Sequence, residues 1–237
     1  MWIKYWSQIT QNVWLAFCKY ILINRCDHTE RLGSEYGGWS FYPSVIGIDS
    51  IVYSIGIGED ITFDLALIDK YKCHVYAFDP TPRSHTWLRK QNLPEQFAWF
   101  DYGIADYDGQ ASFFSPENRE FISHTIMHRR SLKTKPSIVE VKKISSVLKI
   151  LNSTKIDLLK MDIEGAEHDV INNIIKEDIK PRQILVEFHH FLPEISLWKT
   201  IRSTILLCMN SYSLFYVSPG GHEYSFLYKG KSTDKNF

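Results

Sequence analysis

The apolar and polar positions of this chain fall into short runs that alternate between a strand period and a helix period. Ile51-Val52-Tyr53-Ser54-Ile55 reads as a strand ended by the glycines at 56 and 58, and Ile61 to Tyr71 as a mostly apolar helix. His74-Val75-Tyr76-Ala77-Phe78 is a second strand. Asp79-Pro80 stops it, because proline cannot donate to a strand ladder, and Pro82 opens a helix expected to run to Asn92. Phe97 to Phe100 is a third strand, and Ala111 to Phe114 one arm of a small hairpin after the turn Asp108-Gly109. Ile138 to Lys142 and Ser145 to Leu151 read as a strand and a short helix. Ile156 to Met161 is a further strand, and the helix after it carries Ala166, Val170, Ile171, Ile174 and Ile175 on one stripe. Gln183 to Phe188 is the next strand, followed by a helix with Trp198, Ile201, Ile205 and Cys208 on one face. Tyr212 to Val217 and Glu223 to Tyr228 close the series.

Repeated strand–helix alternation predicts a parallel sheet covered on both faces. The last two strands are joined through Pro219-Gly220-Gly221, a connection short enough only for antiparallel neighbours. The expected fold is therefore α/β, a Rossmann-like sheet, mostly parallel, with a C-terminal antiparallel hairpin. The chain divides into an N-terminal accessory helix and lead-in (1–31), one α/β domain (32–228) and a polar tail (229–237).

The apolar run from Val13 to Ile23 is interrupted by Lys19 and is shorter than the roughly 20 residues a membrane-spanning helix needs. An aromatic-rich accessory helix is expected there. Four cysteines without a CxxC pair fit a reducing compartment, hence a cytoplasmic location. With 27 basic and 27 acidic residues the chain has no global field to attract nucleic acid.

Four stretches carry chemistry. In Ser54-Ile55-Gly56-Ile57-Gly58-Glu59-Asp60 a strand ends in Gly-x-Gly and opens a helix, which lets the backbone approach a ligand closely. Ile61 replaces the third glycine of a dinucleotide fingerprint, and Glu59 and Asp60 would repel a pyrophosphate but tolerate a cation. Asp79, at the end of the next strand, is placed either to hold two ribose hydroxyls or to cap its Asp-Pro turn. Asp162 emerges at the carboxyl edge of its strand, with Glu164 and Glu167 in the helical turn beyond, where acids also favour the helix dipole. In Glu187-Phe188-His189-His190 strand alternation sends at most one histidine into the cleft.

The run IDLLKMDIEGAE (156–167) resembles the signature of FkbM-type methyltransferases, and VYSIGIGED (52–60), VYAFDPTP (75–82) and LVEFHH (185–190) resemble a branch of that family. The resemblance spans Leu32 to Leu227. It implies a class I methyltransferase fold, S-adenosylmethionine (SAM) as methyl donor, and O-methylation of a sugar or other small molecule. It also implies that Gly56 and Gly58 pack on the cofactor, that Asp79 holds the ribose, that Tyr102-Gly103 lies near the adenine and that Asp162 lies near the reacting centre. One departure is Ser54, where many methyltransferases carry an acid; Glu59, Asp60 or the segment from Tyr36 to Trp39 then holds the amino-acid end of SAM.

An alcohol acceptor must lose a proton, so a base is expected, with Asp162 and His189 the candidates and Glu164 orienting. A divalent ion on Asp162, Glu164 and His189 is the second route, and the metal-free one is preferred. The irregular segment 115–137 is expected to form a lid, with His124, Arg129 and Arg130 contacting the acceptor. A nicotinamide-dependent oxidoreductase and a degenerate SAM-binding domain without turnover are the rival readings.

Overall fold

The structure, a computed structural model, describes residues 2–24, 26, 28–113, 137–192 and 195–230. The expected lid and its candidate contacts His124, Arg129 and Arg130 lie outside the described residues, as does most of the tail. Helix α1 (Trp2–Phe17) runs into a π-helical turn (Cys18–Leu22), and β1 (Glu30–Leu32) pairs antiparallel with β2 (Trp39–Phe41). The alternating part follows: β3 (Ile51–Ile55), α2 (Thr62–Tyr71), β4 (His74–Phe78), α3 (Pro82–Leu88) and β5 (Phe97–Phe100). Next come β6 (Gly103–Ile104), β7 (Gly109–Phe113), β8 (Ser137–Lys142) and α4 (Ile144–Ile150). The chain ends with β9 (Leu158–Met161), α5 (Glu167–Lys176), β10 (Gln183–Glu187), α6 (Leu197–Met209), β11 (Tyr212–Val217) and β12 (Glu223–Tyr228).

Seven strands form one sheet in the order β11-β12-β10-β9-β3-β4-β5. The pairs from β10 through β5 are parallel, while β12 runs antiparallel to both β10 and β11. This is the expected parallel sheet finished by an antiparallel hairpin. The order reverses between β3 and β9, and that is where an open α/β sheet leaves a crevice beyond its strand ends.

Alternation explains why the central strands are apolar almost throughout. Tyr53, Ile55, Leu159, Met161, Ile184 and Val186 face a core closed by α5, α6 and Trp14, whereas Val52, Leu158 and Leu185 face one closed by Phe63 and Leu67 of α2 and by Trp39 and Phe41. A strand covered on both faces has no polar side to show.

Two expectations are corrected. The helix after Pro82 ends at Leu88 rather than Asn92, because Lys90 and Gln91 turn back with N–H bonds to the carbonyls of Trp87 and Leu88. On α6, Trp198 is 74% exposed and Ile205 43% exposed, and the helix buries Thr200, Ser203, Thr204 and Leu207 instead. The reason is polar pairing: Ser203 Oγ lies 2.9 Å from His168 Nδ1, and Thr200 Oγ1 lies 3.2 Å from His190 Nδ1. Buried hydroxyls with partners are tolerated where a hydrophobicity pattern would place none.

Among the described residues no helix is long and apolar enough to cross a membrane. The second half of α1 packs on the closing hairpin. Trp14 is buried and its indole N–H donates to Tyr224 Oη at 3.0 Å, while Asn24 bonds Leu214 O and Ser213 Oγ. Trp14→Ala should therefore lower the unfolding free energy by about 3 kcal/mol, measured by urea denaturation. A loss under about 0.5 kcal/mol, the size of an ordinary surface change, would mean that the helix is not part of the core.

Candidate active site

The site begins where β3, β4 and β9 end. Gly56 N donates to Phe78 O at 2.9 Å and Asp162 N to Ile55 O at 3.0 Å, so the ladder continues one step past the strands. At Gly56 φ is +72°, and a Cβ there would lie 1.7 Å from the carbonyl oxygen of Asp162. Only glycine fits both the left-handed backbone and the close approach. Gly58, also left-handed, donates its N–H to Asp79 Oδ2 at 2.9 Å.

Asp79 is buried and accepts three further bonds: Thr81 N (2.8 Å) and Thr81 Oγ1 (2.6 Å) on Oδ1, and Ser84 Oγ (3.2 Å) on Oδ2. Its carboxylate thus ties the glycine turn to the start of α3. Glu59 is gripped by Arg83 through Nε (3.0 Å) and Nη2 (2.8 Å). Asp60 caps α2, accepting from Thr62 N and Oγ1, and its other oxygen accepts from Ser34 Oγ at 2.7 Å. Burial alone would raise the Asp60 pKa, but the bonds from Thr62 and Ser34 hold it below the usual range. Ser34 in turn accepts from Gly37 N, which draws the segment from Tyr36 to Trp39 onto the same opening.

These elements surround a cleft of about 550 Å³, within the roughly 300–1,000 Å³ of small-molecule sites. Sheet order gives it two different sides. Toward β4 and β5 it is lined by Phe78, Pro80, Trp87, Gly103 and Ile104, and Phe113 joins them. Toward β9 and β10 it is lined by Asp162, Glu164 and Glu187, with Lys160 between. Of the expected contacts, Gly56, Gly58, Glu59, Asp60, Asp79, Gly103, Asp162 and Glu164 are all in this wall. Ser54 is fully buried in the sheet, and Tyr102, next to Gly103, packs its ring at a tilt against Phe78 and Phe100.

The acidic side is organised by one histidine. His189 is buried, with Nδ1 2.7 Å from Glu167 Oε1 and Nε2 3.4 Å from Asp162 Oδ1 and 3.7 Å from Glu164 Oε1. His190, in the turn beyond β10, points away to Thr200, so one of the two histidines faces the acidic side. Burial would depress the His189 pKa, but the Glu167 bond and the charges of Glu167, Glu164 and Asp162 raise it to about 10. Glu167 is fully buried and also accepts from Ile163 N and Gly165 N. Asp162 is pushed up to about 6 by burial, against the pull of Lys160 and His189 and with the help of Glu164 and Glu167. Glu187 rises to about 7 through burial and the Asp162 charge.

Three residues to which the sequence reading gave no role prove central. Lys160 donates to Gly56 O at 2.6 Å and stands 5.6 Å over the Trp39 ring; the signal for it was a lysine inside a strand otherwise apolar. Glu187 shares the cleft side with His189, as its two-residue spacing implies. Asp64, in the first turn of α2, is 2% exposed with Oδ1 unpartnered, which a helix-dipole account does not foresee.

A sheet of this order, closed by an antiparallel hairpin and opening its cleft at a Gly-x-Gly turn, defines a Rossmann-like methyltransferase domain. The chain belongs to the FkbM methyltransferase family: the family's sequence model, described as Methyltransferase FkbM domain, matches residues 50–214. "Probable methyltransferase-like protein 24" of Homo sapiens is 30% identical over 145 residues, which cover 60% of this chain and 33% of that protein. Its Rattus norvegicus counterpart is 30% identical over 144 residues, with the same coverage of 60% and 33%. The chain thus spans about a third of the length of these curated relatives. Methyltransferase FkbM from Methylobacillus flagellatus KT superposes with a TM-score of 0.49 and 13% identity, covering 77% of this chain and 44% of that one.

Asp64 gives a pH-dependent prediction. Burial, opposed by Lys160, pushes its pKa up to about 6. The folded state therefore holds the proton more tightly than the unfolded chain, and stability falls as pH rises from the unfolded value through about 6. Asp64→Asn, which cannot ionise, should be more stable than the parent at pH 8 by about 1–3 kcal/mol, the gap closing by pH 4. A variant less stable than the parent at pH 8 would show that the ionised carboxylate is needed beside Lys160.

Proposed function

We propose that this chain is a SAM-dependent methyltransferase acting on a hydroxyl of a small molecule, with a sugar or glycan as the acceptor class. The observation that carries the reading is the two-sided cleft. An adenosine carries a flat apolar base, and a sulfonium with an α-amino group carries positive charge. A wall of Phe78, Pro80 and Ile104 on one side and Asp162, Glu164 and Glu187 on the other fits that pairing. It fits a pyrophosphate poorly, because like charges in a half-buried site repel.

When bound, SAM supplies a methyl group on sulfur whose departure needs no proton. The chain's own residues then have two tasks. The first is alignment, which places an acceptor oxygen about 3–3.5 Å from the methyl carbon. Gly56 and Gly58 offer close backbone approach, and Gly103 flanks the base. Asp79 takes the ribose hydroxyls in exchange for its longest bond, the 3.2 Å contact from Ser84. Asp60, or the turn from Tyr36 to Trp39 that it organises, receives the amino-acid end. The second task is proton removal. Asp162 lines the cleft and its side chain is 33% exposed, whereas the His189 side chain is 3% exposed and lies behind it. Asp162 is accordingly the group that meets the acceptor hydroxyl, with Glu164 and His189 fixing its position.

S-adenosylhomocysteine should raise the melting temperature and NAD should not, and Asp79→Ala should remove most of that shift. A larger shift with NAD overturns the cofactor assignment. In a SAM-consumption screen against sugars and glycolipids, Asp162→Asn should lower turnover of the best acceptor by about 10²–10⁴-fold, the usual worth of acid–base catalysis. Unchanged turnover would remove Asp162 from the chemistry.

A further inference from the structure

The geometry points to a binding site for one divalent cation of the Mg²⁺ or Mn²⁺ class on Asp162, Glu164 and His189. Each offers one ligand atom, and the three atoms lie within 4.8 Å of one another. Acidic residues alone gather for many reasons, so the argument turns on the histidine. Its side chain is 3% exposed, and its Nδ1 is taken by Glu167 Oε1 at 2.7 Å. Glu167 is fixed in turn by the N–H groups of Ile163 and Gly165. That leaves Nε2 aimed between two carboxylates at 3.4 and 3.7 Å, too long for good hydrogen bonds. Ligands about 2.0–2.2 Å from a small cation stand about 3 Å from each other at right angles, so modest closure brings all three into range. A buried carboxylate that orients one ring nitrogen while the other faces the site is how proteins hold a ligating histidine, and the ion would take the place of the Nε2 proton, which is released on binding.

Two carboxylates and one imidazole form an oxygen-rich set that suits Mg²⁺ or Mn²⁺. The ion's role rests on the methyl-transfer reading of the cleft. An acceptor hydroxyl entering the ion's open position would be polarised and would give its proton to the second oxygen of Asp162, while its oxygen takes the methyl group from the sulfonium and leaves a neutral thioether. Asp162 then holds the ion through one carboxylate oxygen and keeps its place beside the reacting hydroxyl through the other.

The test uses the full chain stripped with EDTA and titrated with Mn²⁺, following the EPR signal of the free ion. Saturable binding of about one equivalent is expected. Glu164→Gln and Asp162→Asn should each weaken it by about 10–100-fold, with the melting temperatures of the stripped variants showing that they are folded. Glu164→Gln alone carries the comparison if Asp162→Asn does not fold. Pulsed EPR of the bound Mn²⁺ should show coupling to a directly ligated nitrogen. No saturable binding, equal affinity in parent and variant, or no nitrogen coupling overturns the site. S-adenosylhomocysteine is titrated into the same samples. Its binding without Mn²⁺ binding overturns the ion and leaves the methyltransferase reading, and Mn²⁺ binding without it does the reverse.

Discussion

The approach of two backbones at Gly56 is the constraint on which the rest of the structure depends. The carbonyl oxygen of Asp162 occupies the place where a side chain at 56 would begin. This contact joins the ends of β3 and β9, the two strands between which the sheet reverses its order. Any Cβ would push the strand ends apart, and the cleft wall from Asp79 to Glu187 would lose its common edge. Lys160 reinforces the point by donating to the carbonyl of Gly56 from the neighbouring strand. One residue without a side chain thus sets the distance between the Gly-x-Gly turn and the acidic strand ends.

That spacing has an electrostatic consequence. Asp162, Glu164 and Glu187 meet at one side of the cleft, with Glu167 buried against His189 and Asp64 buried within the field of Lys160. Burying carboxylates is costly unless charge or hydrogen bonds compensate. The compensation is uneven. Glu167 has His189 and two backbone donors, and its pKa is lowered in spite of burial. Asp64 and Asp162 are pushed upward although Lys160 pulls on both. A site left short of positive charge in this way is stabilised by a cation entering it, whether a sulfonium or a metal ion. The same shortage would penalise a phosphate.

The fold was legible in the sequence almost to the residue where a strand is a short apolar run bounded by polar or turn residues. Ile51–Ile55, His74–Phe78, Tyr212–Val217 and Glu223–Tyr228 are such cases. Legibility failed where burial is polar. The α6 stripe was misplaced because Ser203 meets the buried His168 and Thr200 the half-buried His190, pairings that no local pattern encodes. The site divides along the same line. The glycine turn, Asp79 and Asp162 announce themselves by standing at strand ends, and they line the cleft. Asp64, Glu167 and Lys160 matter through partners far away in sequence, so each looked like a helix-start acid or a stray lysine.

Glu167 shows why the two kinds of residue belong to one device. It opens α5, where an acid is favoured by the helix dipole alone. A surface carboxylate would satisfy that preference, yet this one is buried, and one oxygen gathers Ile163 N, Gly165 N and His189 Nδ1. The first two bonds shape the turn that carries Glu164 at φ +55° and Gly165 at φ +111°, and the third fixes the ring at the end of β10. A single buried acid therefore couples the loop after β9 to the strand beside it. That coupling sets the positions of Asp162, Glu164 and His189 relative to one another together with the approach of His189 Nε2 to the two carboxylates.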